Sequence, residues 1–389
     1  MDQHPITRAV RIQTARTREM EHSTPLFLTS SFCFEDAEEM RAAFAGENND
    51  NIYSRYSNPS VQEFIDKMCV LEGMEAGFAT SSGMSAIFGC FMTFLKSGDH
   101  LLSCKSIFGS THTIVTKYLP RWNIDYSYAE IDKPETWEAL IKPNTKLIYV
   151  ETPTNPGLDI VDMEWLGNLA KKHGIILLVD NCFATPILQK PAQYGANLVL
   201  HSATKWLDGQ GRVLGGVVVG EKNLIDELYL FCRNTGPAIS PFHAWLLSKS
   251  LETLDVRIQR HCDNAEALVQ ALENHPKINW IKYPFHPSHP MYEIAKKQMA
   301  RGGGLVTFDL KGGVEGGKKF MNALNMLSLT SNLGDTRSIA SHPASTTHSK
   351  LSSEEQLSVG ITPGLIRISV GLEHKDDIIG DIMQALAKS

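Results

Sequence analysis

Residues 198–206 have the sequence Leu-Val-Leu-His-Ser-Ala-Thr-Lys-Trp. The apolar run at its start predicts a short buried strand that opens into a loop. Lys205 in that loop is partly removed from water, which lowers the pKa of its amine and makes it a usable nucleophile and base. The hydroxyl groups of Ser202 and Thr204 could bind an anion beside it. A surface lysine after a strand has the same local pattern, so other parts of the chain must separate the two interpretations.

The surrounding sequence alternates apolar runs with amphipathic segments. Apolar strands alternating with helices predict an α/β fold with a mainly parallel sheet covered on both faces. Ligands on such sheets bind beyond the carboxyl ends of the strands. The predicted strands are 76–80, 100–103, 146–150, 175–179, 198–201 and 215–220, and the predicted helices between them include 84–95, 111–119 and 163–173.

A chain of 389 residues is too long for one compact core. We expect an N-terminal arm (1–60), a ligand-binding domain (61–255) and a smaller α+β C-terminal domain (256–389). The C-terminal domain is predicted from alternating strands at 306–310 and 365–370 and from covering helices at 314–326 and 374–388. Two further helices are predicted at 7–21 and 241–272, the second linking the two domains.

Composition excludes several classes of function. The net charge is −6, with 37 basic and 43 acidic residues, so no nucleic-acid partner is expected. No apolar run reaches membrane-spanning length and the N-terminus lacks a signal-peptide core, so we expect a cytoplasmic protein without a membrane partner. The seven cysteines form no Cys-x-x-Cys pair, which predicts reduced thiols and no metal site.

Polar residues stand at three other positions where the predicted fold would gather them. Ser82-Gly83-Met84 opens a helix, whose free N–H groups favour a phosphate. Asp180 ends an apolar strand and is either a structural cap or the counter-ion of a protonated pyridine nitrogen. Arg367 alternates with isoleucines and is either an exposed ion-pair residue opposite the core or a clamp for a substrate carboxylate. Together with Lys205 these residues match the needs of pyridoxal 5′-phosphate.

At the level of motifs the chain resembles the Cys/Met-metabolism family of pyridoxal-phosphate enzymes, the cystathionine γ-synthase-like group of fold type I. The resemblance covers nearly the whole length. It implies a large domain with a seven-stranded sheet and a smaller C-terminal domain. The motifs that carry it are Tyr53-Ser-Arg55-Tyr-Ser-Asn58-Pro59, Ser81-Ser-Gly-Met84, Glu151-Thr-Pro-Thr-Asn155-Pro156, Val179-Asp-Asn181, His201-Ser-Ala-Thr-Lys205, His342-Pro-Ala-Ser-Thr-Thr-His348 and Arg367-Ile-Ser-Val-Gly371.

The resemblance implies a role for each matching residue. Lys205 resembles the lysine that binds the cofactor aldehyde, and Asp180 resembles the partner of the ring nitrogen. Asn155 resembles the residue near the ring hydroxyl, and Arg367 the clamp on the substrate carboxylate. The residues that resemble the phosphate site are Ser82, Gly83, Met84, Ser202 and Thr204, with Tyr53 and Arg55 supplied by a neighbouring subunit of a homotetramer built from dimers.

Three departures from the family pattern bear on the reaction. Phe108-Gly109 replaces a Tyr-Gly pair whose tyrosine stacks on the cofactor and takes part in proton transfer; Phe108 can stack but has no proton to donate. Ser110 stands where methanethiol-releasing lyases usually carry cysteine. Asn332 stands where synthases and lyases typically have serine, and it resembles the residue of acylhomoserine sulfhydrylases.

These departures favour an O-acylhomoserine substrate, because a carboxylate leaves with less need of an acid than a thiolate does. The chain length resembles the succinyl-ester branch. We therefore expect O-succinylhomoserine and sulfide as substrates, with Lys205, Tyr53 and Asp180 as catalytic residues and with Arg367, Asn332 and Tyr53 at the substrate. Cystathionine γ-synthase, O-acetylhomoserine sulfhydrylase, a methionine or cystathionine γ-lyase and a non-catalytic cofactor-binding protein remain alternatives.

Overall fold

The structure is a computed structural model that describes residues 3–346, 349 and 352–389. Thr347 and His348, which end one of the sequence motifs, lie outside the described residues. Within the described ranges, no helix combines the length and the apolar character that crossing a membrane requires.

A seven-stranded sheet forms the centre of the larger part of the molecule. Its spatial order is β1-β7-β6-β5-β4-β2-β3. Strand β7 runs antiparallel to both of its neighbours and the other pairs are parallel. The prediction of a mainly parallel sheet is therefore confirmed. The strands are β1 (Ala76–Thr80), β2 (His100–Cys104), β3 (Asp125–Ala129), β4 (Thr145–Glu151), β5 (Ile176–Asp180), β6 (Leu198–Ser202) and β7 (Gly216–Gly220).

Helices cover both faces of this sheet, so its central strands are buried and mostly apolar, with polar residues towards their ends. A π-helical turn (Ile114–Tyr118) and 3₁₀ turns (Leu119–Trp122 and Pro191–Tyr194) complete this part of the chain. The helices are α1 (Pro5–Arg11), α2 (Ala37–Ala45), α3 (Pro59–Glu72), α4 (Gly83–Phe94), α5 (Gly109–Thr113), α6 (Pro134–Ala139), α7 (Met163–His173), α8 (Thr185–Leu188), α9 (Lys222–Thr235), α10 (Pro241–Leu251) and α11 (Leu254–Leu272).

A second, five-stranded sheet lies in the C-terminal part, in the order β10-β11-β12-β9-β8. Helix α11 joins the two cores, because its first turns pack in the larger one and Leu268 and Leu272 pack in the smaller one. The remaining elements are β8 (Ile278–Lys282), α12 (Tyr292–Gln298), β9 (Leu305–Leu310), α13 (Gly313–Ala323), β10 (Ser328–Leu329), β11 (Ile339–Ser341), a 3₁₀ turn (Pro343–Ser345), α14 (Ser353–Ser358), β12 (Leu365–Ser369) and α15 (Lys375–Lys388).

Three predicted helices were wrong in extent. The helix predicted at 7–21 ends at Arg11, because the chain turns away and the Thr14 N–H donates to Glu63 of α3 instead. The helix predicted at 241–272 is two helices separated at Glu252-Thr253. The helix predicted at 111–119 is α5 followed by a π-helical turn.

Candidate active site

Three neighbouring strands of the large sheet end at the same edge and place polar side chains there. Glu151 ends β4 and pairs in register with Asp180 at the end of β5. Strand β6 ends at Ser202, and Lys205 lies in the turn that follows. Parallel strands bring their carboxyl ends together, so residues far apart in sequence form one group at this edge.

Lys205 is held by the C-terminal part of the chain. Its Nζ donates to Asn332 Oδ1 over 2.7 Å. Burial lowers the pKa of the Lys205 amine, and the positive charge of Arg367 lowers it further while Cys182 acts in the opposite direction. Gly334 permits this contact, because a Cβ on Gly334 would lie only 2.6 Å from the Trp206 backbone nitrogen. The loop that carries Asn332 is thus packed directly against the lysine turn.

Arg367 is buried, with 6% of its surface exposed, which excludes the alternative of an exposed ion pair. The face of β12 on which it lies points at the large domain rather than at solvent. Its guanidinium donates to Asn155 Oδ1 over 2.9 Å and to the Asn332 carbonyl over 3.3 Å. Burial lowers the pKa of Arg367 to about 10, opposed by the Glu151 carboxyl group. Because both acceptors are neutral, they leave the positive charge of Arg367 without a counter-charge, and such a buried cation is suited to bind an anionic group.

Asp180 and Glu151 form a close pair of buried carboxyl groups. Burial raises the pKa of Asp180 to about 6, opposed by the N–H of Cys182, by His201 and by the hydroxyl of Tyr149. The Cys182 N–H donates to Asp180 over 2.9 Å. Burial and then the nearby Asp180 raise the pKa of Glu151 well above its usual range. Asp180 is therefore the carboxyl group of the pair that ionises more readily.

The start of α4 forms a concave backbone surface beside Ser202. The Ser82 hydroxyl caps the helix by accepting from the Ser85 N–H over 3.1 Å. The N–H groups of Gly83 and Met84 have no acceptor in the described part of the chain. A Cβ on Gly83 would lie 2.7 Å from Ser202 Cβ, so only glycine permits this approach. Free N–H groups at a helix start next to a serine suit a phosphate.

Thr204 and Phe108 lie at the edges of the same group. The Thr204 hydroxyl accepts from the Gly215 N–H over 3.2 Å, which ties the lysine turn to the segment before β7. Phe108 starts α5 and donates its N–H to Glu151 over 2.8 Å. Its ring is 43% exposed, unlike the aromatic residues of the core. A flat apolar ring therefore faces open space at the strand ends.

Tyr53 and Arg55 are not joined to Lys205 within the described part of a single chain. The Arg55 guanidinium donates to the carbonyl of Arg233 at the end of α9 and lies 4.9 Å from the Tyr56 ring centre. Tyr53 is 40% exposed, and its ring contacts the ring of Tyr56. Arg55 is partly buried at its contact with α9, and neither residue is held against the Lys205 group within the described part of the chain.

A buried polar cluster behind the strand ends was missed from the sequence. Glu72 at the end of α3 accepts hydrogen bonds from His201 and from Asn181. His201 begins the His201–Lys205 motif and Asn181 follows Asp180, but no local pattern linked them to Glu72, which is 129 residues from His201 and 109 residues from Asn181. Among the described residues, no group of three or more His, Cys, Asp or Glu side chains could hold a metal ion.

Comparison with known proteins identifies the family. The profile of the Cys/Met metabolism PLP-dependent enzymes matches residues 6–387. The chain belongs to this family. It is 47% identical over 381 residues to the O-succinylhomoserine sulfhydrylase of Pseudomonas aeruginosa, covering 98% of this chain and 94% of that protein. It is also 42% identical over 367 residues to an L-methionine gamma-lyase of Porphyromonas gingivalis, covering 94% of this chain and 92% of that protein.

A solved structure supports the fold assignment. A Campylobacter jejuni protein assigned as an O-acetylhomoserine (thiol)-lyase superposes with a TM-score of 0.94 at 33% identity, covering 99% of this chain and 100% of that one. That crystal structure contains N′-pyridoxyl-lysine-5′-monophosphate. The predicted fold class and the predicted cofactor, pyridoxal 5′-phosphate, are both confirmed. The free N–H groups of α4 and the close approach at Gly83 fit the phosphate of this cofactor.

Proposed function

We propose that the protein catalyses a γ-replacement in which O-succinylhomoserine and sulfide give homocysteine and succinate. The observation that carries the proposal is the position of Asn332. Its side chain accepts from Lys205 and its carbonyl accepts from Arg367, so one residue links the lysine amine and the guanidinium group of the site. The identity to the Pseudomonas aeruginosa sulfhydrylase supports the same reaction.

The residues around the strand ends divide the binding of the cofactor among them. Lys205 would hold the aldehyde carbon and Asp180 would face the ring nitrogen. Phe108 would cover one face of the ring, and Asn155 would lie near the ring hydroxyl. Pyridoxal phosphate, when bound, supplies an electron sink for negative charge at the substrate Cα. The residues that would hold the phosphate are Ser82, Gly83, Met84, Ser202 and Thr204.

Substrate binding and proton transfer then fall to Arg367 and Lys205. Arg367 would bind the substrate α-carboxylate in place of one of its present amide acceptors. Lys205 would be the base that takes the Cα proton, and its lowered pKa favours the neutral amine that this role requires. Asn332 would orient that amine.

Phe108 affects the choice of leaving group. Succinate leaves as a weakly basic carboxylate, so its departure from Cγ requires little help from an acid. A thiolate is more basic and benefits from a proton donor, which the phenyl ring of Phe108 lacks. Lys205 therefore carries more of the proton transfer, with Tyr53 as a further candidate.

We also propose that the active unit is at least a dimer and that it assembles into a homotetramer. Tyr53 and Arg55 would then complete the phosphate site of a neighbouring subunit, and Tyr53 would reach its substrate. The exposure of Tyr53, and the lack of any described contact between either residue and the Lys205 group, support this arrangement. In this assembly, residues 1–60 act as an arm, 61–255 as the cofactor domain and 256–389 as the C-terminal domain.

Measurement of product formation from paired substrates tests the reaction. We expect purified holoenzyme to form homocysteine and equimolar succinate from O-succinylhomoserine and sulfide, with a higher kcat/KM than for the acetyl ester or for cysteine as nucleophile. Lys205→Ala should abolish turnover and the visible absorption of the lysine-bound cofactor. Cystathionine as the preferred product would identify a synthase, and methanethiol release from methionine at a higher kcat/KM would identify a lyase; either result rejects the proposal.

A further inference from the structure

An open cavity lies beside the loop that carries Asn332. Its volume is about 430 Å³, and it is lined by residues of α13, β10 and β11 and of the segments that follow the two strands. Two lining residues adjoin the groups proposed to hold the substrate α-carboxylate. Ser331 directly precedes Asn332, and Ser341 is the cross-strand partner of Arg367. The cavity therefore borders the proposed carboxylate site at two points.

Ser341 lies on the same face of the second sheet as Arg367. Ser341, Arg367 and Thr307 form one row across the neighbouring strands β11, β12 and β9. Side chains that are paired directly across antiparallel strands share a face, with Cβ atoms about 4.5–5.5 Å apart. The Ser341 side chain is therefore next to Arg367, on the face of the sheet that points at the large domain.

The Ser341 hydroxyl is buried and has no partner. The residue is 5% exposed, and its Oγ makes no hydrogen bond in the described part of the chain. Such groups are rare, because the hydrogen bonds to water that burial removes are not replaced. Thr307, at the other end of the row, is also buried, but its hydroxyl donates to the Lys282 carbonyl over 3.3 Å. Of these two hydroxyls beside Arg367, the one at the cavity is available to a ligand.

The lining of the cavity favours an anion. Among the described residues that line it, Lys318 carries the one charged side chain, and none is an Asp or Glu. Lys318 pairs with Glu315 over 2.8 Å, but both side chains are exposed and such pairs are weak, so its ammonium can turn toward a second anion. The other polar lining groups are a side-chain amide and hydroxyls, all able to donate: Asn322, Thr330, Ser331, Ser341, Ser345 and Thr346.

We propose that this cavity binds the acyl end of the substrate and that Ser341 Oγ donates a hydrogen bond to the terminal carboxylate of the succinyl group. The inference rests on the proposed γ-replacement and names how its substrate is selected. A cavity of this volume is large enough for a four-carbon acyl group. A succinyl ester ends in a carboxylate, whereas an acetyl ester ends in a methyl group that accepts no hydrogen bond. Ser341 therefore discriminates between the two esters.

Ser341→Ala tests this role, because it removes the hydroxyl and little else. The measurement is KM and kcat of the holoenzyme for O-succinylhomoserine and for O-acetylhomoserine at saturating sulfide. We expect the KM for the succinyl ester to rise about tenfold, since a hydrogen bond to a charged group is lost. Its kcat should change far less, because this contact is made equally in the ground state and the transition state. The KM for the acetyl ester should rise much less than tenfold.

Thr307→Val is the matched control, since it removes a hydroxyl on the other side of Arg367, away from the cavity. It should lower the melting temperature, because the hydrogen bond to Lys282 is lost, without altering the ratio of the two KM values. Equal effects of Ser341→Ala on both esters would show that the residue acts through Arg367. That result, or no effect on either ester, would overturn the inference.

Calorimetric titration of both esters separates this inference from the proposed reaction. It uses Lys205→Ala holoprotein, which cannot turn the esters over. We expect tighter binding of the succinyl ester, and a second substitution, Ser341→Ala, should remove the difference. If this result is obtained but the wild-type protein forms no homocysteine from either ester, the proposed reaction fails and the cavity assignment stands. A preference that does not depend on Ser341, or no preference, rejects the cavity assignment whatever the reaction.

Discussion

Asp180 follows four apolar strand residues, and its carboxyl group is almost fully buried. Ionising it without the cofactor therefore costs free energy, which is why burial raises its pKa. A protonated ring nitrogen placed against the Asp180 carboxylate would offset that free energy through the attraction of the two opposite charges. The same residue thus opposes the stability of the empty protein and favours the binding of the cofactor.

We predict opposite pH trends for these two properties. As pH rises from about 4 toward 6, the free energy of unfolding of the cofactor-free protein should decrease. The reason is that the pKa of Asp180 is higher in the folded than in the unfolded protein, so the stabilisation by protonated Asp180 is lost over this range. Cofactor affinity should increase over the same window, by at most about tenfold per pH unit. Urea unfolding and cofactor titration between pH 4 and 7 measure both trends, and Asp180→Asn should abolish the difference attributable to this residue. Parallel trends in wild type and variant would contradict the prediction.

For single residues, the sequence was informative where the chemistry of the side chain and its position in the predicted fold both indicated the same role. The position of Lys205 and Asp180 at one edge of the sheet could be predicted because each follows an apolar run of a parallel sheet, whose ligands bind at the carboxyl ends of the strands. The burial of Arg367 could not be predicted, because alternation along β12 shows which residues share a face of the strand but not what covers that face. The hydrogen bonds of Glu72 could not be predicted either, because its partners are distant in sequence.

Helix α4 begins where the backbone approaches β6 most closely. Gly83 faces Ser202 with no space for a side chain. The φ angle of Gly83 is not in the left-handed region, so an alanine there would suffer only from the contact and not from the backbone conformation. The glycine is therefore required by the neighbouring strand.

Gly83→Ala should push the start of α4 away from Ser202. We expect a loss of about 1–3 kcal/mol in the free energy of unfolding from overpacking, and a larger proportional loss in cofactor affinity because the free N–H groups move. Gly380→Ala is the control, since Gly380 lies inside α15 with no atom within 4 Å of a new Cβ. It should stabilise the protein by about 0.5–1 kcal/mol. Equal cofactor affinity in the two variants would contradict the assignment of α4 to the phosphate.

Two strands that the sequence did not predict lack a strong apolar pattern. Strand β3 (Asp125–Ala129) is a polar edge strand, and β8 (Ile278–Lys282) is an edge strand with a half-exposed pattern. The break between α10 and α11 arises from tertiary contacts: Arg257 donates to the carbonyls of Ser250 and Trp206 across the break. Periodicity continues through this point, so it could not predict the break.

For the whole molecule, the open question is how Tyr53 and Arg55 relate to the site at the strand ends. In one chain Arg55 is held at the end of α9, and no described contact joins it to the Lys205 group. If each arm completes the site of a neighbour, every site contains residues from two chains. In a mixed dimer, an inactive variant in the arm of one chain and an inactive variant at the lysine of the other then fall in the same site, and the second site is intact.

Lys205→Ala and Arg55→Ala should therefore complement each other. We expect each variant alone to be inactive, or nearly so, and an equal mixture refolded together to recover about a quarter of wild-type activity, because half of the dimers are mixed and each has one intact site. Lys205→Ala mixed with Asp180→Asn is the control: both residues belong to the same chain's site, so no mixed dimer contains an intact one. Activity in the control would indicate incomplete inactivation, and its absence in both mixtures would show that Arg55 serves its own chain.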